Sequence, residues 1–228
     1  MVQSLVGKPY CLETRDRWLV ASFAEPWVVF SWAVVNGGWQ RVTQVAWLYL
    51  QPNEIAGVTD ASQWMQAQMH AEGLAGAAGF MTSRRTHSWI EAEAADGGCK
   101  AWAVGTVGMS NALRVGDPSG PRPPQPGTIN ILVCCSKPVT VEAAAELLSL
   151  ASEAKALATM DSGLRSVQSG LPATGTGTDY LAIAWPLVGD RQQYGGKHTS
   201  IGSAVGQAVH HAVTQGILDW RKEWGVPE

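Results

Sequence analysis

Charge is scarce in this sequence. Asp, Glu, Lys and Arg make up 15% of its 228 residues, and the formal net charge is −3. Lys and Arg form no block, so the electrostatic footprint of a nucleic-acid binder is missing and nucleic acid is not an expected partner. Long apolar runs are absent too. None reaches membrane-spanning length, and the start MVQSLVGK shows no basic region leading into an apolar segment. The expectation is a cytoplasmic protein with no membrane partner. Cysteine is equally thin: Cys11, Cys99, Cys134 and Cys135 make no CxxC pair and lack the density of a disulfide scaffold. Cys134 and Cys135 are neighbours in an apolar run, so on a strand they would face opposite sides and share no metal. They read as inert core thiols.

What is present describes a compact core, with 46% hydrophobic residues in a chain long enough for one large domain, residues 1–228. Its aromatics are mostly tryptophan, 11 against 4 Tyr and 3 Phe. Large flat side chains suit a core or a homodimer interface, and equally a platform for a flat ligand.

Residues 18–50 alternate as strands, WLVASF, WVVFSWAVV and VAWLYL, with a hairpin turn at Asn36-Gly37-Gly38. A helix is predicted over 60–77, capped by Asp60 and leading into Gly79-Phe80-Met81-Thr82, and a strand follows over 100–107. Residues 116–127 are so rich in Pro and Gly that they read as an exposed loop. Beyond it, 128–135 is an apolar strand, Thr140 caps a long helix, and the loop ATGTGTD enters the strand LAIAW. A last helix begins at Thr199 or Ser200, with Ile201, Val205, Val209, Val213 and Ile217 on one stripe that Trp220 and Trp224 continue. The fold class is α+β, a layered sandwich of mixed sheet flanked by helices.

Four polar, Gly-bearing segments stand at strand ends: 36–38, 105–112, 174–179 and 195–199. Loops at strand ends are where open sheets hold ligands, and glycine lets backbone N–H groups come close to them. A P-loop is excluded, because Arg191 stands where its first glycine belongs and His198 where Ser or Thr should follow Lys197. No GxSxG elbow or HExxH pair occurs. His210 and His211 are adjacent on a helix and cannot act as an i, i+4 metal pair, so no metal site is expected. The titratable candidates are Glu153, Lys155, Asp179, Lys197 and His198. Glu153 and Lys155 lie two apart on a helix, so each reaches a different neighbour. His198 could act as a general base with Asp179 orienting it; equally, Asp179 could be a turn former and Lys197 a solvated cation.

In order along the chain, AVVNGGWQ (33–40), GFMTS (79–83), GTVGMSNALRVGD (105–117), PGTINILV (126–133), the EAK of 153–155, ATGTGTD (173–179) and GKH (196–198) resemble the signature blocks of the adenosylcobinamide amidohydrolase family. The resemblance implies corrinoid salvage: hydrolysis of the amide that joins the aminopropanol arm to the corrin ring, giving adenosylcobyric acid. The alternative is a corrinoid-binding protein without turnover. No cofactor is called for, since the cobalt belongs to the corrinoid substrate. A fainter resemblance in element order, to the self-cleaving aminopeptidases related to ornithine acetyltransferase, implies an αββα sandwich and raises cleavage before Thr128.

Amide hydrolysis needs a nucleophile, a base, an acid for the departing amine and donors for the oxyanion. Read against that resemblance, His198 or Asp179 serves as base, and Lys197 or the N–H groups of Gly175 and Gly177 hold the oxyanion. Thr176 or Thr178 attacks or positions the substrate, and Glu153 completes the catalytic set. The ring's peripheral groups fall to Asn36, Gly37, Thr82, Ser110, Asn111, Thr128, Asn130, Thr174 and Trp185.

Overall fold

The computed structural model describes residues 7–120 and 126–227, so the middle of the Pro/Gly loop and the extreme N-terminus lie outside the described residues. β1 (Tyr10–Arg15) and β2 (Trp18–Ser31) form a hairpin, and β2 turns through Asn36 and Gly37 into β3 (Gly38–Tyr49). After α1 (Ala61–Ala71) come β4 (Ala78–Thr82), β5 (Trp89–Asp96), β6 (Cys99–Val107) and the two-residue β7 (Ala112–Leu113). The second half holds β8 (Ile129–Cys135), α2 (Val141–Asp161), β9 (Gly175–Thr176), β10 (Tyr180–Trp185) and α3 (Ser200–Trp224).

Eight strands make one mixed sheet in the order β4-β3-β2-β10-β8-β6-β5, with β1 also on β2, while β7 and β9 pair separately. The β8–β10 and β3–β4 pairs are parallel and the rest antiparallel. β2 is the joint. Its first half pairs with β1 and its last four residues with β10, and the register slips between Ser22 and Trp27. Exposed Ala24, Glu25 and Pro26 make that slip, and Pro26 gives up a ladder donor at a bulge that bends the strand. The sheet therefore folds over itself.

Three cores result. Apolar faces of α2 and α3 cover β6, β8 and β10 through Leu147, Ala151, Val205 and Val209 against Ile131, Val133 and Ile183. The inner faces of the folded sheet meet each other, Trp47 and Phe80 packing with Leu132 and Cys134. Behind β3 and β4, α1 buries Met65 and Met69 on Ala46 and Leu48. The α+β layered sandwich is thus helix, sheet, sheet, helix. Cys134 and Cys135 do face opposite cores, and burial pushes both thiols up, Cys135 to about 12. Among the described residues no helix is long and apolar enough to cross a membrane.

Some expectations shift. The 60–77 helix stops at Ala71, because Gly73 takes φ 72° and the N–H groups of Gly73 and Leu74 turn back to the carbonyls of His70 and Met69. That is a Schellman stop, which glycine accommodates without strain. On α3 the predicted stripe is buried through Trp220, but Trp224 is 57% exposed and leaves the face. At the other end of α1, Asp60 Oδ1 accepts from Gln63 N at 2.9 Å. Asp60→Ala is expected to cost about 1 kcal/mol, read as a shift in the denaturant midpoint at unchanged slope.

Candidate functional site

β8 and β10 run in parallel, so the segments before them, Gly127-Thr128 and residues 174–179, arrive side by side at one end of the sheet. β6 ends there as well, with Val107 opposite Ile129, and the fold of the sheet brings the end of β4 across them. The result is a polar cluster drawn from four strand ends.

Asp179 is its hub. Its Oδ1 accepts from the Thr176 hydroxyl at 2.5 Å and from Ile129 N at 3.1 Å, and its Oδ2 accepts from Lys155 Nζ at 2.5 Å and Thr176 N at 3.0 Å. The Lys155 and Asp179 side chains are only 13% and 9% exposed. Beneath them, the Thr128 hydroxyl lies 2.7 Å from Asn130 Oδ1 and 2.5 Å from the Thr178 carbonyl, so one proton serves two acceptors. Asn130 Nδ2 donates to the Met81 carbonyl at 2.6 Å, and the hydroxyls of Thr82 and Thr106 meet at 2.8 Å. Asn111 is buried beside Gly127, and among the described residues its Oδ1 has no hydrogen-bond partner. Above, Trp32 is 43% exposed, and its indole N–H donates to the Asp179 carbonyl at 2.7 Å.

Thr82, Asn111, Thr128, Asn130, Gly175, Thr176, Gly177, Thr178 and Asp179 therefore gather at this end, with half-buried Ser110 next to Asn111. Thr174 supports the loop from behind, its hydroxyl accepting from Val115 N at 2.8 Å. Thr176 and Thr178 divide. Only Thr176 gives its hydroxyl to the carboxylate, whereas the Thr178 hydroxyl reaches the Gly127 carbonyl at 3.4 Å.

The other expected residues lie elsewhere. Lys197 and His198 follow the loop that packs on Val139 and Thr140, beyond the opposite ends of β8 and β10. His198 is exposed and makes no hydrogen bond among the described residues, so it is not oriented by Asp179. The expected His198–Asp179 pair does not form among the described residues, because the Asp179 carboxylate is taken by Thr176, Ile129 N and Lys155. Lys197 pairs instead with Glu153, both exposed, at the mouth of a cavity of about 610 Å³ between α2 and α3 that Leu150, Leu157 and Gly206 line. Glu153 and Lys155 diverge by about 200° around α2, which sends one to this groove and the other to Asp179. Trp185 sits at the far end of β10, away from Asp179; it is 3% exposed, packs edge-on against Trp39 at 4.8 Å and lines a second cavity with Trp39 and Arg41. Asn36 spends its amide on the carbonyls of Ala75 and Ala77, and a side chain at Gly37 would strike the Ala33 carbonyl oxygen. Both are turn residues.

Two members stand outside the expected catalytic and binding set. Lys155 belongs to the cluster, and its signal was its separation by two positions from Glu153 on one helix. Trp32 had only its place beside the Asn36-Gly37 loop to mark it, as one tryptophan among several near the motifs, and its tie to Asp179 spans 147 positions.

The family model for adenosylcobinamide amidohydrolase matches residues 6–224. No curated protein matches the chain. Among solved structures, that of the PH0078 protein from Pyrococcus horikoshii OT3 is similar at 9% identity and a TM-score of 0.42, over 91% of this chain and 79% of that one.

Proposed function

The chain belongs to the adenosylcobinamide amidohydrolase family, and from that premise we propose that it hydrolyses the amide between the aminopropanol arm and the corrin ring of adenosylcobinamide, yielding adenosylcobyric acid. The single observation that carries this reading is the family match across nearly the whole chain. The cluster around Asp179 supplies the groups that such a reaction needs.

In this reading Thr176 Oγ1 attacks the amide carbon while its proton passes to Asp179 Oδ1, along the 2.5 Å hydrogen bond already between them. The backbone N–H of Gly177, on an exposed glycine, faces the developing oxyanion. The proton returns to the nitrogen as the C–N bond breaks and aminopropanol leaves. Water then cleaves the ester, its oxygen going to the corrin carboxylate and its proton back to Thr176. Lys197 and His198 have no part in these steps.

Incubation with adenosylcobinamide, followed by separation of products, tests the assignment. Release of aminopropanol with adenosylcobyric acid supports it; tight binding of the corrinoid with no release assigns a binding protein instead.

A corrin is flat, wide and largely apolar, and Trp32 presents a fixed exposed ring beside Asp179. Trp32→Phe is expected to weaken corrinoid binding about tenfold, equivalent to about 1.4 kcal/mol, with most of the tryptophan quenching on titration lost. Trp185→Phe, as the buried counterpart, should leave both unchanged.

A further inference from the structure

We infer that Lys155 is a positioning residue for amide hydrolysis, holding the Asp179 carboxylate in line with the Thr176 hydroxyl; this rests on the proposed function. Nothing in the local sequence brings the ammonium there. It comes from the middle of α2, 24 positions before its partner, and meets Asp179 Oδ2 at 2.5 Å with both side chains nearly out of solvent. The carboxylate's two oxygens thereby take different duties. Lys155 takes Oδ2 alone, Thr176 N is shared between the two oxygens at 3.0 and 3.2 Å, and Oδ1 turns to the Thr176 hydroxyl and Ile129 N. Without the ammonium, Oδ2 keeps only the shared Thr176 N–H, and the carboxylate is held less firmly against rotation about its terminal torsion, which is soft for Asp.

A second observation points the same way. A side chain on Gly175 would place its Cβ 2.2 Å from Asp179 Oδ2 and 2.3 Å from Lys155 Nζ, so the ion pair lies directly across this glycine. The loop is shaped to admit the pair. Gly175 has no side chain, and its replacement by alanine disturbs the pair without removing any charge or backbone N–H.

The test compares Lys155→Met, Lys155→Arg and Gly175→Ala in steady-state turnover of adenosylcobinamide, with thermal melts to count folded protein. Lys155→Met is expected to lower kcat about 100-fold with KM within about threefold, since alignment of a base serves the transition state more than binding. Lys155→Arg should recover at least about a tenth of the wild-type kcat by restoring the charge. Gly175→Ala should lose activity too, and the Lys155→Met/Gly175→Ala double variant should lose no more than the worse single one. The inference is overturned if Lys155→Met keeps kcat within about threefold, if unfolding accounts for its loss, or if the two losses multiply. Wild-type protein that binds adenosylcobinamide and releases no aminopropanol overturns the function itself, a result separate from any comparison of variants.

Discussion

Asp179→Asn is expected to lower adenosylcobinamide turnover at least about 10³-fold while corrinoid binding stays within about threefold. The carboxylate accepts from a hydroxyl, two backbone N–H groups and an ammonium, and it offers no donor in return. An asparagine has one accepting oxygen and one NH2. Whichever way the amide turns, its NH2 faces a donor, either Lys155 Nζ or the Thr176 hydroxyl, and it cannot take a proton from Thr176. Thr176→Ala should match this loss, since it removes the attacking oxygen, and Thr176→Ser should keep measurable turnover. Stopped assays with the products separated by chromatography give the comparison. Asp179→Asn within tenfold of wild type would remove the carboxylate from the chemistry and return it to the role of a turn former.

The largest expected effect on stability lies at Gly105, in the last third of β6 opposite Ile131. A methyl group there would stand 1.8 Å from the Asn130 carbonyl oxygen and 2.8 Å from its carbon. Both are backbone atoms of a fully buried strand, so no flexible side chain can yield. β8 must shift instead. Asn130 is meanwhile fixed by its hydrogen bonds to Met81 and Thr128, so the shift spreads into the polar cluster. Gly105→Ala is expected to cost at least about 3 kcal/mol, near the top of the range for overpacking. For a chain of this size that lowers the melting midpoint by roughly 6–12 °C. Gly206→Ala, on the open side of α3 with nothing within 4 Å of the added Cβ, should be neutral or stabilising by up to about 1 kcal/mol. Calorimetry on both proteins separates steric collision from a general intolerance of change.

Local chemistry made most of the helices and central strands legible. Asp60, Thr140 and Thr199 cap the three helices where their side chains predicted, and the stripe from Ile201 to Ile217 is the buried face of α3. β1 and β5 were missed. CLETR and EAEAAD carry too many charges to read as strands, yet each is an edge strand whose outer side meets solvent. In the site, the ATGTGTD loop was recognisable because glycine and hydroxyl residues were crowded at a strand mouth. Which partner each member takes was not. Lys155 and Glu153 are both charged helix residues, and only the sides of α2 on which they emerge decide that one serves Asp179 and the other the far groove. His198 misled for the same reason in reverse. Its motif begins eleven positions past the end of β10, on a loop that runs to α2 and the start of α3, where Lys197 meets Glu153.

The bent strand β2 also sets the order in which the protein can be assembled. Its first half finds β1 and β3 within the opening fifty residues, but Ser31 must wait for Ala182, on a strand that leaves the ribosome some 150 positions later. Throughout that interval Val28, Val29 and Phe30 present an unpaired edge to other chains. Closure depends on distant pairing, which slows folding and lengthens exposure. Nascent chains halted before residue 180 should therefore hold a hairpin and an α1 layer while remaining prone to association. That hazard ends only when β10 slides in between β2 and β8, the same step that carries Asp179 to its place.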